Sequence, residues 1–142
     1  MGRIVAIDYG KKRVGIAATD ELQLIAGAVA TLPPGEALAF VQRYAAAQKV
    51  DAVVVGLPLN LNGLPAEAAP GAQLFAARVK QLLPDVAVEM FDERFTSKLA
   101  MQAMIEAGVK KMARRNKALV DKVSACIILQ SYMEHKRAVS TI

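Results

Sequence analysis

The chain has 142 residues, a net charge of +5, 54% hydrophobic residues, no Trp and only 5% aromatics, so one domain packed mainly by Ala, Val, Leu and Ile is expected, as strands covered by helices. No apolar run approaches the roughly 18 residues of a membrane helix, Asp8 puts a charge too early for a secretory leader, and position 6 is Ala where a myristoylation signal needs Ser or Thr. With Cys126 as the single cysteine, an internal disulfide and a cysteine-rich zinc site are both excluded, and the expectation is a soluble cytoplasmic protein with no membrane partner.

Arg3 to Asp8 reads as a short buried strand ending in an acid. Tyr9-Gly10-Lys11-Lys12 is a turn, Val14 to Thr19 a second strand, and residues 24–31 a third that completes an antiparallel meander. Pro34-Gly35-Glu36 opens a helix to about Gln48, with Leu38, Val41 and Ala45 on one face. The continuous apolar run from Asp51 to Leu57 is the mark of a strand covered on both faces. Residues 58–71 hold three Pro and two Gly and read as a loop.

A helix follows to Leu83, turning Phe75, Val79 and Leu82 inward. Pro84-Asp85 breaks it, Val86 to Phe91 is the last strand, and Asp92-Glu93-Arg94 sits at its end. Thr96 or Ser97 caps a helix that Gly108 ends. Residues 109–117 are basic and helix-poor, and a long helix runs from about Ala118 to His135. Hairpins followed by alternating helix and strand predict an α/β fold, a mixed five-stranded sheet with helices on both faces, over 1–142 as a single domain.

Charge is unevenly spread. Residues 96–142 carry nine Lys or Arg against three acids, whereas residues 1–95 carry nine against ten. A basic segment of this kind points to a polyanionic partner, nucleic acid first; the plain alternative is a solvated basic face.

Three acids stand out by placement: Asp8 ends the first strand, Glu93 follows the last, and Asp121 lies in the first turn of the last helix. Ala125, Ile128 and Tyr132 follow Asp121 at helical spacing, so this acid is expected to face the sheet. Carboxylates converging from strand ends repel unless protonated or bound to cations. Hard oxygen ligands, with one late His, suit Mg²⁺ or Mn²⁺ and not zinc. Taken singly, each has an ordinary reading: a turn-forming Asp8, a helix-dipole Asp121, and a Glu93 paired on the surface with Arg94 or Lys98. Cys126 is expected to be a packing residue and His135 a surface one.

Residues Ile7-Asp8-Tyr9-Gly10-Lys11-Lys12-Arg13-Val14-Gly15-Ile16-Ala17 resemble the opening signature of the YqgF family, also called RuvX, of Holliday-junction resolvases and nucleases maturing the 5′ end of pre-16S rRNA. Gly56-Leu57-Pro58-Leu59-Asn60 with Gly63 is similar to its central loop. Asp92-Glu93-Arg94-Phe95-Thr96-Ser97 is similar to its Asp-Glu-Arg motif, and Asp121 to Ala125, running into Ile128-Leu129-Gln130-Ser131-Tyr132, to its terminal helix. Phe95 stands where Leu is usual, and Asn62 where Asp is frequent. The resemblance implies a ribonuclease-H-like fold and an acidic triad at Asp8, Glu93 and Asp121, with Asp92 open as an alternative ligand.

The chemistry expected of such a site is phosphodiester hydrolysis with two Mg²⁺ or Mn²⁺ ions about 3.5–4 Å apart on the scissile phosphate. Lys11, Lys12, Arg13 and Arg94 are placed to meet flanking phosphates. Lys110, Lys111, Arg114, Arg115 and Lys117 would hold more distant backbone. The expected partner is structured RNA or branched DNA, and junction cleavage on both strands would call for a homodimer. Two other readings compete. An actin-like or sugar-kinase ATPase also opens with Asp-x-Gly after a first strand, but needs about twice this length. A non-catalytic nucleic-acid-binding module in transcription or ribosome assembly would explain the basic segment but not the acids.

Overall fold

The computed structural model describes residues 2–58, 66–92 and 117–140, with the side chains of the last helix described over 124–136. Strand β1 (Arg3–Tyr9) pairs antiparallel with β2 (Val14–Thr19), and β2 with β3 (Ala26–Leu32). Helix α1 (Pro34–Ala47) leads to β4 (Val50–Leu57), and α2 (Ala69–Leu82) to β5 (Ala87–Asp92); both strands run parallel to β1. A long helix, α3 (Lys117–Ser140), closes the order. The sheet reads β3-β2-β1-β4-β5, the mixed five-stranded arrangement expected.

Alternation along the strands builds two cores. Val5, Ile7, Ile16, Val53 and Val55 face α1 and α2, where Val41, Phe75 and Val79 meet them. Ile4, Ala6, Ala17, Ala52 and Val54 face the other way and pack on Ala125, Ile128, Leu129 and Tyr132 of α3. Burial on both sides explains why β1 and β4 read as unbroken apolar runs. Among the described residues, no helix is long and apolar enough to cross a membrane.

The start of β1 is pinned by polar groups. The Gly2 amide donates to Asp51 Oδ2 at 2.7 Å, and the Ile4 amide donates to the buried Thr19 hydroxyl at 2.9 Å. A Cβ at Gly2 would stand 2.5 Å from Asp51 Oδ1, so a larger residue there would displace the carboxylate that accepts this bond. Anchored at its start and packed on both faces, β1 delivers its last residues to a defined place.

Several element limits differ from the sequence expectation, each for a local reason. Strand β3 begins two residues late because Asp20 Oδ1 captures the amides of Leu24 and Ile25, at 2.7 and 2.9 Å, and these accepted bonds hold its pKa below the usual carboxylate range. Helix α2 starts inside the expected loop, at Ala69, since Pro70 falls in the first turn, where no amide is needed. Gly71 lets that turn approach the sheet: a Cβ there would lie 2.7 Å from Tyr9 Cε1. Leu82 does not turn inward; it is 42% exposed, and Leu83, four residues after Val79, packs on the core instead. Helix α3 takes in Lys117, expected to lie before it. The helix expected between Thr96 or Ser97 and Gly108 lies outside the described residues, as does the basic stretch up to residue 116.

Candidate active site

Parallel strands β1, β4 and β5 end on the same edge of the sheet. Strand β1 lies between β2, joined by a hairpin, and β4, joined by a crossover, so the strand order switches at its carboxyl end. In open α/β sheets that is where ligands bind. Asp8 occupies this place, half-buried at the end of β1.

Alternation decides which way each acid is directed. Asp8 follows Ile4 and Ala6 and shares the α3 face. Its antiparallel neighbour is Gly15, and the position after the Ile7–Val55 parallel pair is Gly56. Gly56 in turn pairs with Phe91 on β5. The row across this face is therefore Gly15, Asp8, Gly56, Phe91, so both strand neighbours of Asp8 are glycines. Glycine inside a strand weakens it and marks a close approach. Two of them beside one acid leave room for a ligand to reach it. The signal was present in the sequence, as Gly15 and Gly56 interrupt runs of Val, Ile and Ala, but only strand pairing puts both beside Asp8.

Asp92 is separated from Asp8 by this geometry. It follows Phe91 by one residue, pairs with Leu57, is exposed, and lies on the α1–α2 side. Position 121 belongs to the first turns of α3, four residues before the fully buried Ala125; the predicted stripe continues through Ile128 and Tyr132, both buried. Glu93 and Arg94 lie outside the described residues, as does the Asp121 side chain. Among the described residues, no group of three acidic, His or Cys side chains is gathered to hold a metal ion.

The turn after Asp8 carries three of the expected phosphate-binding residues. Gly10 is obligatory there, since a Cβ would sit 2.7 Å from the Arg13 carbonyl oxygen. Lys12 is exposed and Arg13 partly so. Lys11 pairs with Glu67, just before α2, and the hydrogen bond its ammonium donates, together with its charge, holds the Glu67 carboxyl below its ordinary pKa. Both are exposed, so the pair adds little stability; its effect is to place the Lys11 ammonium beside the strand ends. Lys110, Lys111, Arg114 and Arg115 lie outside the described residues, and Lys117 begins α3. His135 is exposed as expected, and Cys126 is partly buried against the α3 core, which pushes its thiol pKa up.

A mixed sheet with this strand order, covered on both faces, defines the class: an α/β protein of the ribonuclease-H-like type. RuvC of Thermus thermophilus shares the fold. In its complex with a Holliday junction it superimposes with a TM-score of 0.56 at 16% identity, covering 94% of this chain and 96% of that one. A second Thermus thermophilus RuvC structure gives 0.51 at 16%, covering 93% and 96%. A family model described as RuvX, Holliday junction resolvase, matches residues 2–135, and the chain belongs to that family. Relatives named "Putative pre-16S rRNA nuclease" are 50% identical over 137 residues in Parabacteroides distasonis, covering 96% of this chain and 98% of that one. In Bacteroides fragilis the relative is again 50% identical, with 96% and 99% covered. The protein is thus a nuclease, a hydrolase that binds nucleic acid, and the ATPase and non-catalytic readings give way to that assignment.

Proposed function

We propose that this nuclease is a divalent-metal-dependent endonuclease acting on structured nucleic acid, with the 5′ end of pre-16S ribosomal RNA as its substrate. The observation that carries the substrate is half-identity, over nearly the whole chain, to relatives bearing that name. Asp8, Glu93 and Asp121 form the acidic triad of this reading. Asp8 supports it by its place at the strand-order switch, between the strand neighbours Gly15 and Gly56. Asp92 lies on the opposite face from Asp8, which speaks against it as the alternative ligand.

The donor chemistry fits Mg²⁺ or Mn²⁺, two ions in this reading. Carboxylates at a strand end are hard ligands, whereas the one His is exposed and the one Cys is a packing residue with a raised pKa. Bound there, such ions supply a more acidic water and offset negative charge on the leaving oxygen. The acids hold the cations and orient them. Lys12, Arg13 and Arg94 meet phosphates flanking the scissile bond, as does Lys11 once it exchanges Glu67 for a phosphate. The basic residues from Lys110 to Lys117 hold backbone further off, so recognition is of shape more than of sequence. The domain comprises residues 1–142 and works in the cytoplasm.

Purified protein with Mn²⁺, tested side by side on pre-16S rRNA, a four-way DNA junction, duplex DNA and single-stranded RNA, checks this directly. Cleavage at the rRNA 5′ end that stops with chelator, and that Asp8→Asn lowers by orders of magnitude, is expected. Undiminished cleavage in excess chelator refutes the metal reading. The family description favours one second reading, junction resolution; cleavage of the junction in preference to the rRNA, on both strands and by a homodimer, would select it.

A further inference from the structure

We propose that Glu67 is a built-in competitor for phosphate: its carboxylate occupies the Lys11 ammonium in the free protein and must be displaced before Lys11 can hold a nucleic-acid backbone. The inference rests on the reading of Lys11 as a phosphate contact, and it names what opposes that contact.

The two residues are 56 positions apart in the chain, and the backbone brings them together. Lys11 belongs to the turn after Asp8, closed so tightly that a Cβ at Gly10 would meet the Arg13 carbonyl. Glu67 is held in a turn of its own. The Ala66 amide donates to the carbonyl of Pro58, just past the end of β4, at 2.9 Å, and the Ala69 amide donates to the Ala66 carbonyl at 3.0 Å. Residues 66–69 are thus fixed to the end of β4 and lead into α2, whose first turn closes on the Tyr9 ring at Gly71. One turn carries the ammonium and the other the carboxylate, side by side at the edge where β1 and β4 end.

The pair matters for its charge more than for its strength. Both side chains are exposed, so it contributes little to stability. Lys11 donates a charge-assisted hydrogen bond to Glu67 Oε1, and that bond keeps the carboxyl ionised to lower pH than usual. An ammonium is a compact charge with three donors and no preferred plane, so carboxylate and phosphate oxygens are interchangeable acceptors for it. Glu67 also stands just before the N-terminus of α2, where an anion is favoured whether or not Lys11 is present. Displacement therefore costs little, and the contact acts as a brake on backbone binding, not as a block.

The test uses the full chain in chelator, so that nothing is cleaved, with a labelled RNA spanning the 5′ end of pre-16S rRNA. Glu67→Gln keeps the shape and removes the charge. It should tighten binding about two- to five-fold at low salt, the range of an exposed ion pair, and the gain should shrink as salt screens the competition. In a Lys11→Ala background the same substitution should change nothing. Glu21→Gln removes one charge at the opposite end of the sheet and should leave affinity at the wild-type value. Unchanged affinity in Glu67→Gln overturns the proposal, and so does an equal gain from Glu21→Gln, which would reduce the effect to net charge. An equal gain with and without Lys11 also overturns it, since Glu67 would then repel phosphate directly. Lys11→Ala alone separates the two levels: wild-type affinity there removes Lys11 from the binding surface and the reading beneath falls. Weaker binding in Lys11→Ala, with no gain from Glu67→Gln, leaves that reading standing and sinks only the competitor.

Discussion

Asp8 and Asp92 both end strands at one edge of the sheet, yet alternation sends them to opposite faces, and a difference of one residue decides which acid can join a common site. Tyr132 shows the same dependence on surroundings. Burial and Glu89 push its pKa from 10.0 up to about 12. Below pH 10 the tyrosine is protonated whether folded or not, and its contribution to stability is complete. Between about pH 10 and pH 12 the unfolded chain releases the proton first, so stability falls as pH rises through that window. Denaturant titrations from pH 9 to 12 should show this loss in wild type and a shallower one in Tyr132→Phe. Equal slopes for the two would mean that the hydroxyl is not held as described.

Helix α2 shows how a periodic pattern can be followed one residue astray. Its buried positions run through Ala69, Ala72, Phe75, Ala76 and Val79, so the stripe continues to Leu83 and leaves Leu82 outside. Leu83 also closes the helix, its amide donating to the Val79 carbonyl at 2.8 Å. The two apolar residues should therefore respond very differently to truncation. Phe75→Ala, from a site 5% exposed, should cost about 3–5 kcal/mol. Leu82→Ala should stay within about 0.5 kcal/mol, as surface substitutions do. Urea unfolding of both variants checks the pair, and a large cost for Leu82→Ala would contradict the assigned facing. Gly71 belongs to the same element: its contact with the Tyr9 ring lets α2 sit close over β1, beside the residue that follows Asp8.

For the whole molecule, the chain's net charge of +5 is carried by its last third, where residues 96–142 hold nine Lys or Arg against three acids. Replacing Arg114 and Arg115 with Ala should weaken nucleic-acid affinity across sequences and flatten its salt dependence by about 0.9 per lost phosphate contact on duplex DNA. Binding measured from low to moderate salt tests this, and an unchanged slope would move the binding surface elsewhere. Class, element order and most element limits were legible because strands buried on two faces and helices buried on one leave distinct apolar periods. Asp8 was legible as a strand end and as part of a family motif, whereas Glu93 and the Asp121 side chain lie outside the described residues. By itself the sequence determined which residues end the strands and that Ala125, Ile128 and Tyr132 form the buried stripe of the last helix, since both follow from local periodicity. Only the tertiary structure decided that Gly15 and Gly56 flank Asp8, that Asp92 faces away from it, and that Tyr132 reaches β5, because each depends on which strand lies beside which.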